Sequence, residues 1–383
     1  MLASCTGAEP GDTAPSSTPG AGMLTGETVS LAATSPFRAE SFGEMPNPWA
    51  MEFEPGTGRL FVSQQDGVLL VFDPASGETR TVGGTPRVAY EGQGGLGDIA
   101  FAPDYATSGT IYLSWARDAE GETTVAAVGR GTLDCDTAAT CRIDGFTEIW
   151  SQSRGGARPG HYSHRLAFSP DGRYLFVASG DRQEGDPAQD LSNNLGSIVR
   201  LTLDGRAAPG NPFADRGGPT AQVWSYGHRN ILGLAFAPDG NLWGLEHGPK
   251  GGDELNLIQR GANYGWPVRS DGVNYDNSNI PDHSPDDGFS QPAISWTPVI
   301  APGGMMFYTG SMFADWRGQA LIPNLKTESI SRVSVNAAGN SAVEESRYEF
   351  PERLRDIAQA PDGAIWVIED DEDGRLLRLT PKN

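Results

Sequence analysis

The residue types that hold metal ions and charged ligands are concentrated between positions 223 and 267 of this 383-residue chain. Arg229 stands next to Asn230, the carboxylates of Glu246 and Glu254 follow, and a Gly-Pro dipeptide and two Tyr-Gly pairs lie among them. Arginine binds carboxylates and electron-rich oxygens, whereas carboxylates and backbone carbonyls bind hard metal ions. An ordinary core does not need this mixture, which indicates a site that holds a metal ion and a charged cofactor.

Short motifs elsewhere in the chain accompany this stretch. They lie at residues 92–97, 161–166, 188–193, 323–326 and 353–356. Together with residues 223–267 they resemble, in their order, the soluble quinoprotein sugar dehydrogenases, the family of aldose sugar dehydrogenase and soluble glucose dehydrogenase. The resemblance extends from about residue 47 to the C-terminus, and its specificity comes from the joint order, because each motif alone is weak. It implies two cofactors, pyrroloquinoline quinone (PQQ) and Ca²⁺.

A histidine suits the removal of a proton from a sugar hydroxyl, because its side chain titrates near neutral pH. His161, His164, His228 and His247, four of the five histidines, lie inside the motifs. The resemblance implies that His161, the first residue of a His-x-x-x-Arg-Leu motif, is the general base; the alternative is a histidine in a surface loop. His164 stands where the family usually has a small residue. We expect His228 and His247 to orient loops.

An acidic protein must supply local cations to hold PQQ, because this cofactor carries three carboxylates. The resemblance implies that the cations are Arg229, Lys326, Arg353 and Arg355, and that Asn230 donates to the quinone. Guanidinium groups suit carboxylate and quinone oxygens because their donors form a planar fork. The alternative for each cation, taken singly, is a solvated surface charge.

Calcium prefers oxygen ligands, including backbone carbonyls. The resemblance implies that Gly248 and Pro249 supply backbone ligands to a cofactor-bound calcium ion. It also implies that Glu254 and the carbonyl of Tyr264 belong to a second, structural calcium site. The alternative for Glu254 is a cap of a helix or turn beside Asn256.

The expected substrate site includes Gln93 and Asp181, which match family positions at its mouth. The alternative for Asp181 is the turn position of its Ser-Gly-Asp sequence. Gly160 stands where glucose-type relatives carry a carboxylate, and His247 replaces a neutral amide of some relatives. These two departures predict a broad range of aldoses instead of strict glucose specificity.

The fold is predicted from an internal repeat that is independent of the resemblance. Apolar segments ending in proline, in most copies Pro-Asp, recur at residues 51–55, 99–104, 166–171, 234–239 and 357–362, with a degenerate copy near 304–307. An alternating apolar run follows most copies, which predicts a strand, a turn and a second strand. Periods of about 50 to 70 residues are typical of propeller blades with insertions. The prediction is therefore all-β, a six-bladed β-propeller, whose loops bring distant residues together.

Composition agrees with many short strands, since the chain has 50 glycines and 28 prolines to punctuate them. The formal net charge is −21, with 49 acidic and 28 basic residues. This balance argues against nucleic acid as a partner, because a phosphate backbone requires a basic face. The apolar runs are too short to span a bilayer.

The three cysteines point to a compartment outside the cytoplasm. The spacing of Cys135 and Cys141 permits a local disulfide, with two free thiols as the alternative. Cys5 ends a Leu-Ala-Ser-Cys sequence that resembles the lipobox of a bacterial lipoprotein, although the rest of a signal peptide is missing. We expect residues 1–34, rich in Ser, Thr, Pro and Gly, to be a flexible tether and residues 35–383 to be the catalytic domain.

The sequence therefore predicts a secreted or lipid-anchored quinoprotein that oxidises aldoses at the anomeric carbon to lactones and delivers electrons to an external acceptor. His161 takes the proton, and Ca²⁺ and Arg229 polarise the quinone. Two other classes stay open: a calcium-dependent lactone hydrolase and a non-catalytic ligand-binding propeller. The first needs a carboxylate-rich metal cage, and loss of the base or of the cations would favour the second.

Overall fold

Nearly every regular element is a β-strand in the computed structural model, which describes residues 24–135 and 140–382. The one α-helix in these ranges is a single turn at Tyr105–Ser108. Short 3-10 turns occur at Asp186–Gln189, Ala214–Arg216, Pro219–Gln222, Ala314–Trp316 and Ala337–Gly339. Across the two ranges, the structure shows no helix with the length and apolarity needed to cross a membrane.

The strands form consecutive antiparallel blades after two initial strands, β1 (Glu27–Val29) and β2 (Phe37–Pro46). The first blade contains β3 (Pro48–Phe53), β4 (Leu60–Gln64), β5 (Leu69–Phe72) and β6 (Thr79–Gly83). The second contains β7 (Leu96–Phe101), β8 (Thr110–Ala119), β9 (Thr123–Cys135) and β10 (Cys141–Ser151). The third contains β11 (Ser163–Phe168), β12 (Tyr174–Ser179), β13 (Ser197–Thr202) and β14 (Val223–Tyr226).

The fourth blade carries an insertion that becomes important at the site. The chain forms β15 (Ile231–Phe236), β16 (Leu242–Glu246), β17 (Lys250–Gly251), β18 (Asp253–Leu257), β19 (Gly272–Val273) and β20 (Ile294–Trp296). The blade consists of β15, β16, β18 and β20, while β17 and β19 pair as a separate ribbon. The fifth blade contains β21 (Met306–Phe307), β22 (Ala320–Asn324), β23 (Ser329–Asn336) and β24 (Ser341–Glu349).

The sixth blade joins the two ends of the chain. It contains β25 (Leu354–Gln359), β26 (Ile365–Glu369), β27 (Asp373–Pro381) and the early strand β2. Strand β2 pairs with β27 from Phe37 opposite Pro381 to Pro46 opposite Asp373, which closes the ring. The predicted six-bladed propeller is confirmed, and the degenerate repeat near residues 304–307 includes β21, the first strand of the fifth blade.

The described residues include the C-terminal part of the predicted tether, residues 1–34. Strand β1 lies within the segment expected to be a tether, and it pairs with β2 through Glu27 opposite Ser41 and Val29 opposite Ala39. The structured part therefore begins before residue 35, because β1 extends the sixth blade. Residues 1–23, with Cys5, lie outside the described residues.

Burial follows from the position of a strand within its blade. All five residues of β26 are buried, whereas exposed and partly buried residues alternate along the outer strand β24. A strand between two others is covered on both faces by neighbouring blades, so its sequence is continuously apolar; an outer strand faces water on one side. At the edge of the second blade, a disulfide joins Cys135 to Cys141.

Arg165 on β11 ties several blades together at the propeller axis. Its guanidinium forms ion pairs with Asp98 at 3.2 Å and with Asp356 at 3.0 Å. It also donates to the carbonyls of Leu232 at 2.8 Å and Gly303 at 2.7 Å. These partners come from four other blades or the segments that lead into them, so the buried charge is both paired and hydrogen-bonded, as burial requires.

Candidate active site

His161 and Asp181 form a buried pair between the first two strands of the third blade. His161 lies just before β11 and Asp181 just after β12, so antiparallel pairing places them side by side. His161 Nδ1 lies 2.6 Å from Asp181 Oδ1, and the two residues are 6% and 1% exposed. The backbone N–H of His161 donates to Gln93 Oε1 at 2.8 Å. Three predicted site residues are thus in direct contact.

The environment of this pair fixes the protonation of His161. Burial, opposed in part by the hydrogen bond and charge of Asp181, lowers the pKa of His161. Burial alone would raise the pKa of Asp181, but the hydrogen bond and charge of His161 outweigh it and the net shift is downward. At neutral pH the imidazole is therefore uncharged, with its proton on Nδ1 facing Asp181. Its Nε2 lone pair is left available to accept a proton.

Further contacts hold Asp181 in place. Its Oδ2 accepts from Trp266 Nε1 at 2.7 Å, and its Oδ1 also accepts from the backbone N–H of Gln183 at 2.8 Å. His161 itself has a φ of +51°, a left-handed conformation that is uncommon outside glycine. Backbone strain of this kind persists where the surrounding structure enforces it, and it clusters at functional sites.

His161 and Asp181 open onto a cavity of about 490 Å³, here called the base cavity. Arg229, Trp266 and Tyr275 form part of its wall. The other lining residues are Gln93, Arg158, Gln183, Glu184, Gly185, Asp186, His247, Pro249, Pro267 and Asn274. Polar groups of both signs beside two aromatic rings suit a ligand that carries several hydroxyl groups on an apolar ring.

Arg229 is buried at the wall of the base cavity without a carboxylate partner. Its Nη1 donates to the carbonyl of His247 and its Nη2 to the hydroxyl of Tyr275, both at 3.2 Å. The guanidinium carbon lies 5.2 Å from the ring centre of Trp266 and 5.8 Å from that of Tyr275. Its buried Nε has no hydrogen-bond partner among the described residues. The side chain is therefore positioned to bind an electron-rich atom.

A second cavity of about 430 Å³, here called the cation cavity, adjoins the first, and Gln93 and His247 line both. Its wall includes four predicted cofactor-binding residues, Asn230, Lys326, Arg353 and Arg355. Asn230 comes from the fourth blade, Lys326 from the fifth and the two arginines from the sixth, as expected for a propeller mouth.

The charges of the cation cavity are only partly neutralised. Arg353 Nη2 and Arg355 Nη2 both pair with Asp370, at 2.6 Å and 2.5 Å. Lys326 is exposed and forms no ion pair with a described residue. The cavity thus contains three cations and one carboxylate, Asp370. Burial would raise the pKa of Asp370, but the charges of Arg355 and Arg353 outweigh it and the net shift is downward. The cavity retains positive charge for an anionic ligand.

The predicted calcium ligands Gly248 and Pro249 form a buried turn, and Pro249 lines the base cavity. Asp253 Oδ1 accepts from the N–H of Gly248 at 2.9 Å, and its Oδ2 accepts from Ile300 and Ala301 at 2.8 Å and 2.7 Å. One carboxylate thus fixes this turn to the segment that reaches the cation cavity.

Glu254 and Tyr264, predicted to form the second calcium site, lie around a small cavity with Glu246. Burial, followed by the charges of Glu246 and Asp271, raises the pKa of Glu254 well above its usual range. Excess negative charge of this kind favours a cation. In residues 24–135 and 140–382, however, no group of three or more His, Cys, Asp or Glu side chains is arranged to hold a metal ion. A cation at either predicted site would therefore need backbone oxygens.

His228 and His247 make hydrogen bonds that hold loops. His228 lies between Ser225 Oγ at 2.9 Å and Glu246 Oε1 at 2.8 Å. His247 Nε2 lies 2.7 Å from the carbonyl of Pro302. Burial lowers the pKa of His247 to about 3, so its ring is neutral. Its Nε2–H therefore donates to the carbonyl of Pro302.

Sequence reasoning missed four residues that the structure brings to these cavities: Asp253, Trp266, Tyr275 and Asp370. Two had a signal in the sequence. Asp370 lies in an acidic run that directly follows a strand, and Tyr275 is an aromatic residue in a polar loop. The contacts of Trp266 with Asp181 and of Asp253 with three amides depend on how separate segments pack, which no local pattern records.

Comparisons with known proteins agree with this architecture. Residues 45–378 match the family model for glucose/sorbosone dehydrogenases. The aldose sugar dehydrogenase YliI of Escherichia coli is 36% identical over 345 residues, covering 89% of this chain and 91% of the relative. The crystal structure of the soluble aldose sugar dehydrogenase from Escherichia coli in its apo-form superposes with a TM-score of 0.84 at 34% identity, covering 90% of this chain and 100% of that structure.

A third comparison concerns a structure with a bound cofactor. The PQQ-bound aldose sugar dehydrogenase from Streptomyces coelicolor has a TM-score of 0.72 and 27% identity, covering 94% of this chain and 99% of that structure. The family model spans most of the chain, and YliI is similar over nearly its whole length. The chain belongs to the glucose/sorbosone dehydrogenase family.

Proposed function

We propose that this protein is a quinoprotein that oxidises aldose sugars at the anomeric carbon to lactones, with PQQ as its redox cofactor. The observation that carries the proposal is the position of the His161–Asp181 pair. It opens onto a cavity that adjoins one lined by three cations. A proton acceptor next to an anion-binding cavity is what oxidation of a sugar hydroxyl by an anionic quinone requires.

The donors of the cation cavity fit a ligand with several carboxylates. Lys326 has no ion-pair partner in the described part of the chain, and Arg353 and Arg355 share a single carboxylate. At the adjoining wall, the unpartnered Nε of Arg229 is a donor without an acceptor. Leaving such a group unsatisfied costs about 1–3 kcal/mol or more. A ligand that supplies acceptors here would remove that cost, and the PQQ-bound structure from Streptomyces coelicolor supports this identity.

In this proposal, separate residues accept the proton, position the sugar and bind the quinone. His161 Nε2 accepts the proton of the anomeric hydroxyl, and Asp181 holds the ring and stabilises the positive charge that forms on it. Gln93 and Asp181 position the sugar at the base cavity, while Arg229 and Asn230 donate to quinone oxygen. When bound, PQQ supplies the acceptor for the hydride that leaves the sugar. Calcium, held by the backbone of Gly248 and Pro249, would assist the polarisation of the quinone.

The two alternatives fit these cavities less well. A calcium-dependent lactone hydrolase needs carboxylates around its metal ion, whereas Lys326, Arg353 and Arg355 line the cation cavity. A non-catalytic propeller does not need a buried histidine–carboxylate pair. This protein has one in His161 and Asp181, and the backbone of His161 is strained.

Activity is expected to require both PQQ and a divalent ion. The measurement is aldose-dependent reduction of a dye by metal-stripped apoprotein, with quinone and Ca²⁺ added separately and together. We expect turnover only with both, because the cations position the quinone and the metal polarises it. Full activity without quinone, or with a nicotinamide in its place, would contradict the proposal.

Glu254→Ala is expected to remove the stabilisation of the protein by calcium at the second, structural site. An ion that binds only the folded state adds about 2.7 kcal/mol to the free energy of unfolding at a concentration 100 times its Kd. The measurement is the melting temperature across a calcium titration. Glu54→Ala is the matched control, because Glu54 is similarly buried, at 3% exposure, but pairs with Arg59 in the first blade. If the melting temperature of the parent protein does not change with the calcium concentration, the proposed structural calcium site is wrong.

We infer that the enzyme works outside the cytoplasm, anchored through Cys5 or secreted, and passes electrons to an external acceptor. The Cys135–Cys141 disulfide supports this, because such bonds persist in oxidising compartments. Calcium is also more available there. We also propose that the enzyme accepts a broad range of aldoses, because Gly160 and His247 differ from the residues expected in glucose-type relatives.

A further inference from the structure

We propose that His164 is an additional ligand-binding residue at the floor of the cation cavity, where its neutral imidazole hydrogen-bonds the quinone. The proposal rests on the proposed function, since it concerns the same ligand. His164 stands at a position where the resemblance implies a small residue, so the side chain is an addition to the expected set of ligand contacts.

His164 is buried without satisfying either of its ring nitrogens. The residue is 3% exposed, and neither Nδ1 nor Nε2 has a hydrogen-bond partner among the described residues. A buried polar group of this kind is rare, and it is explained by a bound water, an ion or a ligand. His164 lines the cation cavity together with Asn230 and Lys326, so a ligand in that cavity is adjacent to this side chain.

The structure holds this ring in one place. Its ring centre lies 5.4 Å from that of Tyr162, which stacks on it, and 5.4 Å from that of Trp49, which meets it edge to face. Gly97 provides the space behind it, because a Cβ added there would lie 2.6 Å from His164 Cγ. The backbone of His164 has a φ of +70°, a conformation unfavourable for this residue type. A ring that is so closely supported, yet unpaired, is a preorganised binding group.

The charge state of the ring matches this role. Burial, followed by the guanidinium groups of Arg182 and Arg165, lowers the pKa of His164 to about 3. The ring is therefore neutral in the working range of pH and presents one N–H donor and one acceptor. The donor suits a quinone carbonyl or carboxylate oxygen, while Lys326 and the two arginines supply the charge.

The same properties separate His164 from the proposed base. His161 is linked to Asp181, which stabilises a proton on its ring, whereas His164 has two guanidinium groups and no carboxylate among the groups that shift its pKa. His164 is thus unsuited to hold a proton during turnover. Its contribution is to binding, and its loss should change quinone affinity more than the rate of the loaded enzyme.

The test is a titration of apoprotein with PQQ at saturating Ca²⁺, followed by absorbance or calorimetry. We expect His164→Leu, which replaces the ring by an apolar side chain of similar size, to raise the Kd about tenfold or more, the effect of one hydrogen bond to an anionic group. His164→Asn, which retains a donor and an acceptor, should recover part of the affinity. Trp366→Phe is the control, because Trp366 Nε1 is also buried without a hydrogen-bond partner among the described residues but Trp366 lines neither cavity.

A second readout does not depend on affinity. In protein labelled with ¹⁵N-histidine, the His164 resonances, assigned by their loss in the Leu variant, should keep neutral shifts from pH 5 to 8 and move when PQQ is added. Unchanged shifts, or an unchanged Kd in a folded His164→Leu variant, would overturn the inference while leaving the proposed function intact. A parent protein that does not bind PQQ would overturn both.

Discussion

Replacement of His161 by glutamine is expected to lower kcat by about 100- to 10,000-fold, the usual loss when a general base is removed. Glutamine fills a similar volume and can still donate to Asp181, so the fold and the cavities should persist. Quinone binding should also persist, because the cations of the cation cavity are unchanged. The measurement compares PQQ titration and steady-state turnover in the parent and the variant.

The pH dependence of the parent protein provides a second check on the same role. His161 accepts a proton only when neutral, so activity should rise with pH through the pKa of His161 and be fully present above it. Because burial lowers this pKa, the midpoint of the rise in kcat/KM should lie below about 6.5, the value of a free histidine. The Gln variant should lose this rise together with its activity.

His228→Gln is the matched control for His161→Gln. It removes a buried histidine that also pairs with a carboxylate, Glu246, at 2.8 Å, but His228 lines neither cavity. We expect it to lower thermal stability and to leave most of the turnover. Near-normal turnover in His161→Gln would instead show that another group is the general base.

The fold could be predicted from sequence because a propeller repeats one local pattern. In five of the six blades the first strand is apolar and is followed by proline or Pro-Asp, and the sixth copy is degenerate, so the periodicity gives the number of blades. The N-terminal boundary was harder, because the sequence around β1 is as polar as the predicted tether. This strand is held by pairing with β2, a contact that composition does not reveal.

The candidate site was predictable as a set of residues but not as an arrangement. The motifs contain several of the residues that line the two cavities, and the structure places these residues at adjoining walls. The partners that tune them were not predictable from local sequence. Trp266 of the fourth blade holds Asp181 of the third, and Asp370 joins Arg353 to Arg355 from the neighbouring strand of the same blade. Such contacts depend on loop conformation in the mouth of the ring.

Arg229→Leu is expected to lower kcat by about 100- to 1000-fold, as when a preorganised donor to developing negative charge is removed. The guanidinium is 5% exposed and has no ion pair among the described residues, an arrangement that costs stability unless a ligand completes it. Its hydrogen bonds to His247 and Tyr275 fix its direction and leave Nε free. The variant should therefore be as stable as the parent or more so, although it is less active.

A comparison of Arg229→Lys with Arg229→Leu separates the effect of the positive charge from that of the planar guanidinium geometry. Arg229→Lys keeps the positive charge but lacks the planar fork, so we expect intermediate turnover. Arg200→Lys is the control, because Arg200 also lies over two aromatic rings, 4.5 Å from Tyr174 and 4.4 Å from Trp224, yet lines neither cavity. It should leave kcat unchanged. If Arg229→Leu retained turnover within a few-fold of the parent while binding PQQ normally, the polarising role would have to pass to the metal ion alone.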